Sequence, residues 1–434
     1  MTAMKSPYET EQLLGMEYYL TKSAGTGGVL RKAPEDFAVD ELYSDIKLTG
    51  GPHLICELEK TNWELMRALK EISKALGVSY QRISFAGTKD KRAVTKQLIS
   101  IYGIKEEDLD RVRIKDIKLR ALGYARTQLS LGDLKGNRFG INVNDCTGDD
   151  LQGALDGCIA AAKTGLPNYY GIQRFGTIRP ISHIVGIALL KGDCKDACMK
   201  YAGYPFDGEA EEVKAARALF DRTGDAAEAL ELMPVQMHYE RSILQHLVEK
   251  PEDYKGAIET IPPKLLSMFV SAVQSHIFNR VLSMRIRDSD GDPFSPQIGD
   301  RLLFADGRED IVSAGNINAA KIHVKRGRCR TAIYMPGSED FEPQTQTEQY
   351  TADLMAECGI TKESYAAVSK LVGSRFAGAS RAMCLTADIA GTVNPCGSGT
   401  GSGASVRLEF TLPPGHYATT VCRELMKTDP RDMA

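Results

Sequence analysis

The chain has 434 residues, 43% of them apolar and 26% charged, with 54 lysines and arginines against 57 acids and a formal net charge of −3. This length exceeds one ordinary core and predicts two domains, and the composition excludes a disordered or fibrous chain. No apolar run reaches the roughly 18 residues that a membrane span needs, and the charge balance argues against a nucleic-acid partner unless basic residues gather on one face.

In chain order, the opening MTAMKSPYETEQLLGMEYYL carries acids and no long apolar core, so no signal peptide is expected. FAVDEL (Phe37 to Leu42) and HLICELEK (His53 to Lys60) alternate apolar and polar residues and read as strands. NWELMRALKEISKALG has Leu65, Leu69, Ile72 and Leu76 at helical spacing, with Gly77 where a C-cap belongs. QRISFAG reads as a strand that delivers a polar turn, Thr88 to Lys91. RFGINVND (Arg138 to Asp145) is a further strand, and DDLQGALDGCIAAAKTG a capped helix.

From about residue 180 to 290 helical periodicity takes over, including PKLLSMFVSAVQSHIFNRVLSMRIR (Pro263 to Arg287). PGSEDFEPQTQTEQY (Pro336 to Tyr350) is polar and reads as a connector. Strand character returns in SVRLEFTLPPG (Ser405 to Gly415), followed by a short helix, TTVCRELMK. A β-rich start, a helical middle and a β-rich end predict one sheet domain interrupted by an insertion. The expected limits are 1–177 and 373–434 for the sheet domain and 178–372 for the insertion. PCGSGTGSGAS (Pro395 to Ser405) contains Gly399 and Gly401 but leads into a strand rather than a helix, so it reads as a loop and not a dinucleotide fingerprint.

Ten cysteines are scattered along the chain. The closest pair, Cys194 and Cys198, has no second close Cys or His pair after it, so neither a metal site nor a disulfide scaffold is expected. Reduced thiols fit a cytoplasmic protein.

Three stretches carry possible chemistry. In FAGTKDKRAV, Asp90 stands between Lys89 and Lys91. Cations beside a carboxylate favour its ionised form and repel a metal, which suits a nucleophile or base. A surface turn with a local ion pair is the alternative. LPNYYGIQRFGTIRP gathers Asn168, Tyr169, Tyr170, Gln173, Arg174 and Phe175, the rings and polar edges that an unstacked base requires. A tight turn packing its tyrosines into a core fits it equally. KAPEDFAVDEL (Lys32 to Leu42), with Arg31 just before it, mixes acids and bases and by itself reads as a structural network. KIHVKRGRCR (Lys321 to Arg330) is a basic run.

In this order RKAPEDFAVDEL, FAGTKDKRAVTKQ and PNYYGIQRFG resemble the TruD family of tRNA pseudouridine synthases, in its archaeal and eukaryotic form. SAVQSHIFNRVL, SRAM and LPPGHYATTVCREL extend the resemblance over nearly the whole chain. It implies an α+β fold: a pseudouridine-synthase catalytic domain on a mixed, mainly antiparallel sheet, with an inserted α/β domain peculiar to the family. It implies isomerisation of uridine to pseudouridine in tRNA, at position 13 and in archaeal relatives also at position 35 of a tyrosine tRNA precursor. The expected partner is tRNA; no cofactor, metal or membrane is implied, and a monomer is expected.

Residue by residue, the resemblance makes Asp90 the catalytic aspartate and Lys89 the lysine that tunes or positions it. It puts Asn168, Tyr170, Phe37 and Arg31 around the base, although the family's first basic position falls on Arg31 or on adjacent Lys32. Tyr170 stands where many bacterial members have Phe. Arg174, Arg179, Lys321, Lys325, Arg326 and Arg328 are the expected phosphate contacts. Asp90 is expected to attack C1′ or C6, or to take the 2′ proton. The rival readings are a non-catalytic RNA-binding protein of the same fold and a hydrolase. A retaining glycosidase needs a second carboxylate about 5 Å away, for which Glu35 and Asp36 are the nearest motif acids.

Overall fold

Alternation along HLICELEKT places Leu54, Cys56, Leu58 and Lys60 on one face of a strand, and the structure builds its largest sheet around that strand. The structure, a computed structural model, describes residues 3–43, 45–395 and 403–433. Gly399 and Gly401, read above as part of a loop, lie outside the described residues. The chain divides into two compact units.

The first unit comprises Thr21–Leu166, Leu385–Thr428 and the residues from Asp432. Its main strands are β1 (Phe37–Tyr43), β2 (His53–Thr61), β3 (Val94–Tyr102), β4 (Ile117–Ala125), β5 (Leu134–Cys146), β6 (Ile389–Asn394) and β7 (Ala404–Leu412). They lie in the order β6-β7-β5-β1-β3-β2-β4, with short strands Val29–Leu30 on β5 and Ile83–Phe85 on β3. Only the β1–β3 pairing among them is parallel. The sheet is therefore mixed and mainly antiparallel.

Apolar positions of period two meet helices of period 3.6 across one face of this sheet. Phe37, Val39, Phe139, Ile141, Leu408 and Phe410 join residues of the helices Leu151–Thr164 and Ala418–Met426. Leu54, Cys56, Leu58, Ile99 and Ile101 join Leu65, Ala68, Leu69, Ile72 and Leu76 of the helix Leu65–Leu76. That helix ends at Gly77 with φ +68°, the left-handed C-cap its glycine permits. Where the two clusters approach one another on β1, β2 and β3, the same face turns polar with Glu41, Lys60, Thr95 and Gln97.

The second unit comprises the residues up to Leu20, Pro167–Cys384 and Asp429–Arg431. These limits lie outside the 178–372 span expected from the sequence, and hydrogen bonds explain the difference. Asn168 N donates to Met383 O at 2.9 Å, Asn279 Nδ2 to Leu14 O at 3.0 Å and Ser283 Oγ to Gly15 O at 2.6 Å. Its axis is the helix Pro263–Arg287, whose buried residues point in every direction. The helix Ser182–Leu190 crosses it closely: a Cβ on Gly186 would stand 2.2 Å from Phe269 O. A small antiparallel sheet runs in the order Glu309–Ile311, Arg301–Phe304, Cys329–Met335, Ala379–Ala382. The polar connector is shorter than expected, because Thr345 caps a helix, Gln346–Glu357, by accepting from Glu348 N.

Candidate active site

Asp90 sits in the irregular segment between the short strand Ile83–Phe85 and β3. The turn does not bury it between its neighbouring lysines. Its side chain is 42% exposed, Lys91 is exposed, and Lys89 turns away to Glu41, Nζ to Oε2 2.5 Å, with both side chains buried. Adjacency in sequence does not make a pair here, because Lys89 and Asp90 meet separate partners.

The cation on Asp90 comes from elsewhere in the chain. Arg31 Nη2 donates to Asp90 Oδ1 at 3.2 Å and Nη1 to Met433 O at 2.8 Å. Arg31 is buried and has φ +55°, a left-handed conformation costing about 1–2 kcal/mol for a residue with a side chain. The main chain is held there in part by Arg92, whose Nη2 donates to Arg31 O at 2.9 Å. Burial lowers the Arg31 pKa, and Asp90 opposes that shift. Lys32, the other basic residue of that motif, pairs with Asp145 instead.

Phe37 does not face a base. It is 1% exposed, and the Arg31 guanidinium carbon lies 3.9 Å from its ring centre. Its ring supports the arginine through a cation–π contact, because strand alternation points it into the core. Glu35 and Asp36 stand just before it; Asp36 accepts from Ala33 N and from Asn142 Nδ2.

Sequence reasoning missed three side chains beneath the Asp90 turn. Lys60 Nζ donates to Asp90 O and to Trp63 O, both at 2.8 Å. Glu41 receives Lys89 and, through Oε1, Leu98 N at 3.1 Å. Gln97 Nε2 donates to Gly87 O at 2.9 Å. The available signal was a polar residue at an inward position of an alternating strand: Glu41 after Phe37 and Val39, Lys60 after Leu54, Cys56 and Leu58.

In the second unit, Asn168 is 1% exposed and both ends of its amide are engaged. Nδ2 donates to Ala382 O at 3.0 Å and Oδ1 accepts from Arg381 Nη2 at 2.9 Å. The Arg381 guanidinium lies 4.0 Å from the centre of the Tyr170 ring, which meets Phe278 edge-on at 5.5 Å. Tyr170 N donates to Asn279 Oδ1 at 2.8 Å. Arg381 and Asn279 stand in SRAM and SAVQSHIFNRVL, stretches legible as motifs but not as supports of Tyr170. Tyr169 is core: its hydroxyl lies 2.8 Å from Ser283 Oγ.

The expected phosphate contacts divide. Arg179 is spent inside the unit, donating to the backbone oxygens of Lys200, Tyr201, Gly203 and Tyr204. It caps the end of the helix Cys194–Ala202, whose last carbonyls lack partners within the helix, and its donors are directed into the unit rather than toward a phosphate. Arg174 is half-buried, its Nε donating to Ser275 Oγ at 3.0 Å. Lys321, Lys325, Arg326 and Arg328 are exposed. Among the described residues no group of three or more His, Cys, Asp or Glu side chains is placed to hold a metal.

Residues 13–425 match the family model described as tRNA pseudouridine synthase D (TruD). A "Probable tRNA pseudouridine synthase D" from Methanococcoides burtonii is 36% identical, over 99% of this chain and 100% of that protein. One of the same description from Archaeoglobus fulgidus is 37% identical, over 96% and 99%. A crystal structure of a candidate tRNA pseudouridine synthase D from Methanosarcina mazei superposes with a TM-score of 0.85 at 34% identity, covering 99% of this chain and 100% of that one.

Proposed function

The chain belongs to the tRNA pseudouridine synthase D (TruD) family, and from that premise we propose that it isomerises uridine to pseudouridine in tRNA with Asp90 as the reacting carboxylate. The observation that carries this reading is the Arg31–Asp90 pair. A buried guanidinium holds one carboxylate oxygen while the other side of the group stays open to solvent, which suits an anionic nucleophile or base.

A stacked uridine is extruded first, at roughly a few kcal/mol. Asp90 then attacks C1′ or C6, or removes the 2′ proton. The N-glycosidic bond breaks, the uracil turns, a bond forms between C5 and C1′, the C5 proton leaves to solvent and N1 takes one up, so the product is an isomer of the substrate and the Asp90 carboxylate is regenerated. Arg31 stabilises the carboxylate that reacts. Tyr170 is the proposed ring on which a base stacks, with Arg381 laid over it and Asn168 holding Arg381. Arg174, Lys321, Lys325, Arg326 and Arg328 are the proposed phosphate contacts. The resemblance supports uridine 13 as the target, with position 35 of a tyrosine tRNA precursor as a second.

Tritium release from tRNA labelled at C5 of uridine tests the reading. Wild type releases tritium, and Asp90→Asn, which keeps the shape without the charge, does not. Bound tRNA without release from wild type would leave an RNA-binding protein. Release by Asp90→Asn would remove the aspartate from the reaction. Transcripts with cytidine at position 13 test the position.

A further inference from the structure

The face of the sheet beneath Asp90 carries polar groups where the pattern of the strands calls for apolar ones. Register pairs Lys60 with Thr95 and Leu58 with Gln97, and Val39 with Thr95, which brings Glu41 beside Gln97. Lys60, Thr95 and Gln97 are 0% exposed and Glu41 3%. Removing such groups from water is unfavourable unless each is matched, and apolar side chains of like size would hold the sheet at least as well. Stability alone does not account for them.

Their partners do. Gln97 holds Gly87, Glu41 holds Lys89 and Lys60 holds Asp90. Three strands thus each pin one residue of the same short segment. Lys60 alone reaches the reacting residue, and it does so through the main chain, while Arg31 takes the side chain.

We propose that Lys60 is a positioning residue for the isomerisation: its buried ammonium fixes the backbone of Asp90, and with it the direction of the carboxylate, and supplies a positive charge behind it. This rests on the reading of Asp90 above. Burial supports it by bringing Lys60 down to about 8, with Asp90 and Glu64 opposing that shift and Lys89, itself paired with Glu41, adding to it. Lys60 therefore loses its charge around pH 8, whereas a guanidinium is not deprotonated in proteins.

The test is the tRNA-saturated rate of pseudouridine formation between pH 6.5 and 9, beside the tRNA dissociation constant, for wild type, Lys60→Met and Lys60→Arg. The wild-type rate is expected to be about halved near pH 8 and to fall about tenfold by pH 9. Lys60→Met is expected to lose on the order of 10²-fold in rate at pH 7, with tRNA affinity unchanged and no alkaline limb. Lys60→Arg, which stays charged, is expected to show no alkaline limb.

A wild-type rate flat to pH 9, a Lys60→Met protein with the wild-type rate, or one that loses affinity in step with rate would each overturn the proposal. If Lys60→Met does not fold, an alkaline limb surviving in Lys60→Arg overturns it. A wild type with no turnover at any pH removes the reaction itself; a wild type that turns over without the limb removes Lys60 alone.

Discussion

Lys89 and Asp90 are adjacent in sequence and have separate partners. Lys89 pairs with Glu41 where both side chains are almost fully buried, and Asp90 pairs with Arg31 at the surface of the same unit. Breaking a buried ion pair by removing one member leaves an uncompensated charge and costs about 3–5 kcal/mol, whereas replacing both members with apolar groups can be nearly neutral. Lys89→Met is therefore expected to lower unfolding stability by about that amount, and adding Glu41→Leu to recover more than half of it. Urea unfolding of the two single variants and the double variant measures the coupling. Additive losses would separate the two residues. Turnover is expected to stay low in the double variant, because the anchor of the turn is still missing.

At the scale of elements, sequence periodicity located the strands and helices well where an apolar face was continuous. Pro263 to Arg287 was legible as one helix and is one. The segment to Tyr350 was read as a connector because polar residues hide the Thr345-x-x-Glu348 cap that starts a helix inside it. The packing of helices was not legible. His183 and His276 come from the two helices that cross at Gly186, and their rings stack at 4.5 Å.

Burial lowers both histidines, His276 to about 4, with Arg280 adding to that shift; His276 in turn adds to the lowering of His183. Unfolded histidine takes its proton near pH 6.5, so the unfolded chain binds protons more readily than the folded one below that value. The stability due to neutral burial is complete above about pH 6.5 and is lost as pH falls toward 4. The urea midpoint is expected to drop between pH 6.5 and 5, and His276→Gln to flatten that slope. An unchanged slope in the variant would place the acid sensitivity elsewhere.

At the scale of the whole molecule, a net charge of −3 coexists with local basic surface. In the helix Ile317–Lys325, Ala320 packs with Ile317 and Val324 onto a small apolar cluster, while Lys321 and Lys325 project outward and Arg326 and Arg328 follow in the turn. Charge reversal at Lys325 and Arg326 is expected to weaken tRNA binding and to reduce the salt slope by about 0.7–0.9 for each phosphate left without its cation. Titration at several salt concentrations checks this, and an unchanged slope would take the run off the RNA face. Arg179, of the same charge and close in sequence to Arg174, carries no such expectation, because its guanidinium is consumed by four backbone carbonyls.

By itself the sequence determined the family, the α+β class, the strands and helices with continuous apolar faces, and Asp90 as the candidate for the reacting group, because motif spacing and periodicity are local properties of a chain. Only the tertiary structure decided which charge meets which. Arg31 reaches Asp90 across 59 residues, Lys60 across 30, and Glu41 takes Lys89 across 48. It likewise put Phe37 beneath Arg31 rather than beside a base, and moved the edges of the helical unit out to Pro167 and Cys384. Strand pairing brings distant residues together by register, and register is fixed by the packing of whole faces, which no short stretch of sequence specifies.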